Sequence, residues 1–289
     1  MTIIRALADV SDRYDAVFCD LWGCLHNGIE AFPAAVEALR TFRSKGGKVV
    51  LLTNAPRARA EVAKQVVKFN VPDDCWDTIA TSGDSARAAM FRGMVGEKVW
   101  FIGQPFDQPF FEPIKVVEDP VTVKQVSLEE ADGIVCLGPF DPFADPDVNR
   151  PQFLLAKQKG LKLLCANPDI VVDRGEKREW CAGALAALYE EMGGESLYFG
   201  KPHPPIYDLA RRRLAELGPL PADARILAIG DGPVTDLRGA LGEDLDVLFV
   251  TGGLAAAETK TIDQPDPGAL AAYVERLQMT PTYSIGFLR

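Results

Sequence analysis

The sequence predicts an α/β protein built on a doubly wound parallel sheet. Short apolar runs end in polar or acidic residues, as in Val17-Phe18-Cys19-Asp20, and buried parallel strands end in this way where α/β proteins place their chemistry. Such runs alternate with segments of helical pattern. The first elements are a strand at 16–20, a helix at 33–45 that opens on proline and precedes a glycine pair, a strand at 48–53 and a helix at 58–69.

The same alternation returns near the end of the chain, after a long middle segment with a strand and helix series of its own. The late elements are strands at 197–200, 225–231 and 246–250 and helices at 205–217 and 235–241. The middle series has strands at 98–102, 133–137 and 161–166 and helices at 85–91, 151–159 and 180–192. A segment of this length with its own strands is a domain. We therefore predict a core of residues 1–75 and 195–289 and an inserted α/β cap domain of residues 76–194.

The composition favours a soluble globular protein and argues against nucleic-acid-binding, membrane-spanning and zinc-binding proteins. The chain has 289 residues, 47% of them hydrophobic and 25% charged, which is typical of a soluble globular protein. The net charge of -10 without a Lys/Arg cluster argues against nucleic acid as a partner. No apolar run reaches the ~18 residues of a membrane span. The six scattered cysteines favour a reducing, cytoplasmic location, and neither they nor the two histidines form a zinc pattern.

Four predicted strands end in residues that suit phosphoryl transfer, namely Asp20, Thr53, Lys201 and Asp231. We expect all four to emerge at one edge of the parallel sheet. A carboxylate can attack phosphorus, and two carboxylates can hold Mg²⁺. The threonine hydroxyl and the lysine ammonium can bind the phosphate oxygens, on which charge is stabilised during this reaction.

These strand ends belong to four short segments that resemble, in order and spacing, the four motifs of the haloacid dehalogenase (HAD) superfamily. The segments are Asp20–Gly23, Leu52–Asn54, Gly200–Pro202 and Gly230–Asp236. The resemblance is closest to the class IIA phosphatases, which include nitrophenylphosphatase-like, phosphoglycolate and pyridoxal-phosphate phosphatases. That class carries its cap between the second and third motifs, where this chain has its insertion. It also has an Asn-Pro-Asp segment, similar to residues 167–169.

The resemblance implies a HAD-like Rossmannoid core and a role for each matched residue. Asp20 would be the nucleophile and a Mg²⁺ ligand, Lys201 would orient it, and Thr53 and the Asn54 amide would bind phosphate. The remaining metal ligands would be the backbone carbonyl of Trp22, Asp231 and, through water, Asp236. Candidate substrate-binding residues are Arg57 and, in the cap, Asn167 and Asp169.

Trp22 departs from the phosphatase pattern, which has at this position an aspartate that serves as general acid and base. An indole N–H only donates a hydrogen bond, so Trp22 can serve in neither role. Loss of such a group costs about 10²–10⁴-fold in rate. His26, four residues further along, is a candidate replacement for the acid and base. A substrate with an acidic leaving group would need no proton at all.

The sequence therefore predicts a Mg²⁺-dependent hydrolase of a small phosphorylated metabolite, acting through an aspartyl-phosphate at Asp20. Two alternatives stay open. Trp22 favours a phosphate-binding or regulatory protein that has lost turnover. A dehalogenase-like hydrolase would need no metal, which fits the two acidic residues of the last motif poorly. The resemblance further implies a homodimer formed through the cap, since class IIA relatives often dimerise in this way.

Overall fold

The structure, a computed structural model, describes residues 1–113, 117–174, 177–221 and 224–289. The chain forms two compact units. Unit 1 comprises residues 1–53, 60–80 and 207–289, and unit 2 comprises residues 54–59 and 81–206. None of the described helices is long and apolar enough to cross a membrane.

The described ranges of the chain contain both strands and helices. The strands are β1 (Thr2–Ile3), β2 (Ala16–Cys19), β3 (Lys48–Thr53), β4 (Thr78–Thr81), β5 (Lys98–Ile102), β6 (Lys124–Gln125), β7 (Gly133–Cys136), β8 (Lys162–Cys165), β9 (Val171–Arg174), β10 (Lys177–Trp180), β11 (Glu195–Tyr198), β12 (Ile226–Gly230), β13 (Asp246–Val250) and β14 (Tyr283–Ile285). The helices are α1 (Pro33–Ser44), α2 (Arg59–Lys68), α3 (Ser82–Phe91), α4 (Arg150–Gln158), α5 (Ala182–Glu191), α6 (Pro204–Ala215), α7 (Arg238–Gly242) and α8 (Pro267–Leu277).

Unit 1 is built on a seven-stranded sheet with the order β1-β14-β13-β12-β2-β3-β4. Its interior strand β2 pairs in parallel with β12 on one side and with β3 on the other. All four residues of β2 are buried, which is the pattern of a parallel strand covered on both faces. The carboxyl ends of β2, β3 and β12 therefore lie side by side.

Unit 2 contains a five-stranded sheet with the order β11-β8-β7-β5-β6 and a separate antiparallel pair of β9 and β10. The described part of its core includes two apolar clusters. One includes Phe153 and Tyr189, which are fully buried beside β7 and β8. The other includes Met90 and Phe199.

The predicted α/β fold with a doubly wound parallel sheet and an inserted α/β segment is confirmed, but two predicted domain boundaries are wrong. The core does not resume at residue 195, because β11 pairs with β8 in the sheet of unit 2. The cap does not begin at residue 76, because β4 joins the sheet of unit 1. A short apolar run predicts a strand without specifying which sheet the strand will join. The tail at 281–289, which has no clear sequence pattern, supplies β14.

Candidate functional site

Asp20 and Asp231 lie next to each other at the carboxyl edge of the sheet in unit 1. They follow the neighbouring strands β2 and β12, in which Cys19 is aligned with Ile229. The Asp20 amide donates a hydrogen bond to the Ile229 carbonyl at 2.8 Å. Ligand atoms of the two carboxylates and of the Cys24 thiol all lie within 4.8 Å of one another, and the three side chains are buried. The predicted convergence of these two acids is therefore present in unit 1.

The backbone of two loops closes tightly around the Asp231 carboxylate. Leu254 donates its amide to Oδ2 of Asp231 at 3.0 Å. A Cβ atom at Gly23 or at Gly253 would clash with this carboxylate, and Gly23 has a φ of 77°. Both positions therefore require glycine for a close approach to the acid. This role is not among the predicted ones, and its sequence signal is the glycine pair that follows the apolar run of β13.

The donor atoms of this cluster fit a hard divalent cation. Two buried carboxylates repel each other and need a counter-charge nearby. Burial raises the pKa of the Cys24 thiol well above its ordinary value, and the carboxylates of Asp231 and Asp20 raise it further. The two carboxylates supply hard oxygen ligands, which Mg²⁺ prefers to a thiol sulfur.

Asp236 lies in the helical turn that follows β12, and its carboxylate supports that turn. Its Oδ2 accepts hydrogen bonds from the Gly232 amide at 3.1 Å and from the Thr235 hydroxyl at 3.3 Å. A Cβ at Gly230 would clash with the Asp236 side chain, so the turn packs closely on the end of the strand. Its role as a water-mediated metal ligand stays a prediction.

Thr53 ends β3, the neighbour of β2 on the side away from β12. Cys19 is aligned with Leu51 across this pair, so Thr53 belongs to the same sheet edge as Asp20. Its side chain is 8% exposed. The position suits the predicted contact of its hydroxyl with phosphate.

Trp22 and His26 form a packed turn directly after Asp20. The Trp22 ring lies against Gly28, where a Cβ would clash with it, and meets the His26 ring edge-on with 5.5 Å between the centroids. The Phe69 ring is a second aromatic neighbour of His26, with 4.8 Å between the centroids. The Gly28 amide donates to Nδ1 of His26 at 3.0 Å. Trp22 is half-buried, whereas His26 is only 3% exposed.

This environment favours a structural role for His26 over the predicted role as acid and base. Burial lowers the pKa of His26 to about 4, so the imidazole is neutral at physiological pH. Because Nδ1 accepts the Gly28 hydrogen bond, the remaining proton is on Nε2. The ring holds a turn closed rather than facing solvent.

In unit 2, the side chain of Asn54 joins two other segments of the predicted site. Its Oδ1 accepts the Lys201 amide at 2.7 Å, and its Nδ2 donates to the Lys201 carbonyl at 3.0 Å. The same Nδ2 donates to Oδ1 of Asp169 at 2.8 Å. Asn54 and Lys201 are buried, at 3% and 2% exposure. The side-chain amide of Asn54 is therefore engaged within the protein, which leaves its backbone amide for the predicted phosphate contact.

Asn167 and Asp169 also make contacts within unit 2. Oδ1 of Asn167 accepts the Asp169 amide at 3.1 Å, which closes the turn of the Asn-Pro-Asp segment. The guanidinium of Arg57 lies 5.1 Å from the centre of the exposed Phe106 ring. The substrate-binding roles of Arg57, Asn167 and Asp169 stay predictions.

The expectation that four strand ends of one sheet supply the site is wrong for Lys201. Asp20, Thr53 and Asp231 follow strands of the unit 1 sheet, but Lys201 follows β11 at the edge of the unit 2 sheet. The local sequence, a short apolar strand before Gly-Lys-Pro, is the same in either case. Lys201 is held instead by the loop that follows Thr53, through Asn54.

Comparison with known proteins agrees with this arrangement. A family model described as haloacid dehalogenase-like hydrolase matches residues 17–113, and a second HAD-hydrolase-like model matches residues 198–277. The chain is 26% identical to the 5'-nucleotidase YutF of Bacillus subtilis, over 88% of this chain and 93% of that protein. It is 25% identical to the ribonucleotide monophosphatase NagD of Escherichia coli K12, over 84% and 89% of the two chains.

A solved structure of a hydrolase of the haloacid dehalogenase-like family from Brucella suis 1330 is also similar. The identity is 36%, the alignment covers 99% of this chain and all of that chain, and the TM-score is 0.85. With the strand-end acids, the glycines that enclose Asp231 and the inserted α/β segment, these matches show that the chain belongs to the haloacid dehalogenase superfamily of hydrolases, in its class IIA.

Proposed function

We propose that this protein is a Mg²⁺-dependent phosphatase of small phosphorylated metabolites that acts through an aspartyl-phosphate at Asp20. The observation that carries the proposal is the pair of buried carboxylates, Asp20 and Asp231, at the carboxyl edge of the sheet in unit 1. The names of the two curated relatives, a 5'-nucleotidase and a ribonucleotide monophosphatase, support a phosphate monoester as the substrate.

Each residue has a distinct part in this reaction. A carboxylate oxygen of Asp20 attacks phosphorus, and the bond from phosphorus to the leaving oxygen breaks. The Thr53 hydroxyl and the Asn54 backbone amide bind the phosphate oxygens, and the Lys201 ammonium orients Asp20. A divalent cation held by Asp20, Asp231 and the Trp22 carbonyl would supply the charge that lets an anionic nucleophile approach an anionic phosphate.

A phosphoenzyme experiment tests this function. We expect acid quenching during turnover of a ³²P-labelled phosphate monoester with Mg²⁺ to leave label on the protein. Asp20→Asn should abolish both this label and phosphate release, because an amide is not a nucleophile. The matched control is Asp208→Asn, an exposed carboxylate on α6, which should retain both. Phosphate release that survives in Asp20→Asn would contradict the proposal.

Trp22 favours a second function, that of a phosphate-binding or regulatory protein. Its indole replaces the acid and base that would assist turnover, while the two carboxylates are retained. Label that accumulates on Asp20 without later release would support this alternative. Label that is followed by release supports the phosphatase.

A further inference from the structure

We propose that this enzyme selects substrates whose leaving group departs as a stabilised anion, namely acyl, enol and aryl phosphates, over simple alkyl phosphates. The inference rests on the proposed function and specifies its substrate class. It is carried by the packed turn of Trp22, His26 and Gly28, which follows the nucleophile.

The basicity of the leaving oxygen determines whether the reaction needs a proton donor. When Asp20 attacks, the electron pair of the breaking phosphorus–oxygen bond goes to the leaving oxygen. An alkoxide is a strong base and needs a proton as it forms, and a positioned acid contributes about 10²–10⁴-fold to the rate. A phenolate or a carboxylate, whose conjugate acids have pKa values of about 10 and about 4, leaves without one.

Trp22 cannot supply that proton, and its packing keeps the indole in place. The indole N–H donates hydrogen bonds but is not an acid in water. The ring rests on Gly28, whose φ of 83° and lack of a Cβ let it approach closely, and it meets the edge of the His26 ring. The indole therefore occupies the position after the nucleophile and packs against both Gly28 and His26.

His26 does not replace the missing acid, on geometric grounds. Its ring contacts the rings of both Trp22 and Phe69 and is 3% exposed. Its Nδ1 is already the acceptor for the Gly28 amide. A ring so deeply buried has almost no surface on which to meet a substrate oxygen.

The second step, hydrolysis of the aspartyl-phosphate, also proceeds without a proton donor for the leaving group. Water attacks phosphorus, the bond between phosphorus and Asp20 breaks, and the electron pair returns to the Asp20 carboxylate. The proton of the water passes to solvent. The leaving group in this step is itself a carboxylate, so no acid is needed, and the aspartyl-phosphate can turn over.

The test is a substrate series with the intact protein and Mg²⁺. It measures kcat/KM for aryl phosphates whose phenols differ in acidity, for acetyl phosphate and for an alkyl phosphate. We expect kcat/KM to fall steeply as the leaving group becomes more basic, with the alkyl phosphate at least 10²-fold below the most acidic aryl phosphate, since the proton donor is missing.

Two variants sharpen the test. Trp22→Asp introduces a carboxyl group at this position and should accelerate the alkyl phosphate most. The dependence of kcat/KM on leaving-group basicity should therefore become weaker. Trp22→Phe is the matched variant, since it keeps an aromatic ring without an acid. Its kcat/KM should still fall steeply as the leaving group becomes more basic. The wild-type series decides the question even if Trp22→Asp does not fold.

The possible outcomes distinguish failure of this inference from failure of the proposed phosphatase function. Mg²⁺-dependent turnover with a flat dependence on the leaving group overturns the inference alone, because some other residue then donates the proton. Absence of phosphate release and of phosphoenzyme with every substrate, the acyl and aryl phosphates included, overturns the proposed function and the inference together.

Discussion

At the scale of single residues, the site combines groups that would be unfavourable alone. Asp20 and Asp231 are buried carboxylates at the ends of adjacent strands, and burying charge is costly unless it is compensated. The Leu254 amide donates a hydrogen bond to Asp231, and the predicted cation would add compensating charge. Gly23 and Gly253 allow the backbone to approach Asp231 closely, since a Cβ at either position would clash with this side chain.

His26 makes stability depend on pH in a defined window. Burial lowers its folded-state pKa to about 4 from 6.5, so the unfolded chain binds the proton more tightly. The stabilising contribution is complete above pH 6.5 and is lost as pH falls towards 4. A shift of this size corresponds to roughly 3 kcal/mol of unfolding free energy.

The substitution His26→Asn should remove this pH dependence, because the asparagine oxygen can accept the Gly28 hydrogen bond but does not titrate. Urea unfolding of the wild type and of the variant across the window measures the difference. His203→Asn, at the other histidine of the chain, should leave the His26 contribution in place. A variant that loses stability as steeply as the wild type would show that His26 is not the cause.

At the scale of elements, the loop at 54–59 is anchored to helix α3 and to the segment of Lys201. Gly83 donates its amide to the Ala55 carbonyl at 3.0 Å, and the Asp84 carboxylate accepts the Arg59 amide at 3.2 Å. Asn54 adds its two-way hydrogen bonds with the Lys201 backbone. The position of Lys201 within unit 2 therefore depends on this loop.

Asn54 and Asp169 should behave as a coupled pair. Asn54→Asp keeps an acceptor for the Lys201 amide but sets two carboxylates against each other where a 2.8 Å hydrogen bond existed. We expect it to lower stability and kcat, and we expect Asn54→Asp with Asp169→Asn to recover part of both, because the donor and the acceptor are then exchanged. Such coupling is typically about 0.5–3 kcal/mol.

The measurement is a double-mutant cycle in urea unfolding, accompanied by kcat. Asp169→Asn alone is the control, since its amide oxygen can still accept from Asn54, and it should change stability little. A double variant no more stable than Asn54→Asp would contradict the coupling.

At the scale of the whole molecule, the sheet of unit 1 depends on strands from both ends of the described chain. β14 lies between β1 and β13, with parallel pairing on both sides. Its residue Ile285 is fully buried. A tail without a clear sequence pattern is thus an interior part of the fold.

Ile285→Ala should destabilise unit 1 by about 2–5 kcal/mol, because it opens a cavity in a packed sheet. Ile262→Ala is the matched control, since it makes the same chemical change at a side chain that is 89% exposed. That control should stay within about 0.5 kcal/mol of the wild type. Urea unfolding measures both, and equal stability of the two variants would contradict the placement of β14.

Much of this organisation could be predicted from local sequence. Apolar runs that end in polar residues located β2, β3, β5 and β12, and the prolines and glycines located helix α1. What could not be predicted depends on pairing between distant segments. The choice of sheet for β11, the hydrogen bonds of Asn54 and the burial of His26 are set by partners that no local pattern specifies.

The order of the segments along the chain has a consequence for biosynthesis. Asp20 and Asp231 are roughly 200 positions apart, and all of unit 2 is made between them, so at about 5–20 residues per second they are translated about 10–40 s apart. During that interval β2 and β3 have already been synthesised, but β12, the other partner of β2, has not. A nascent chain in this state exposes apolar strand edges, which makes it a natural client for chaperones that act during translation.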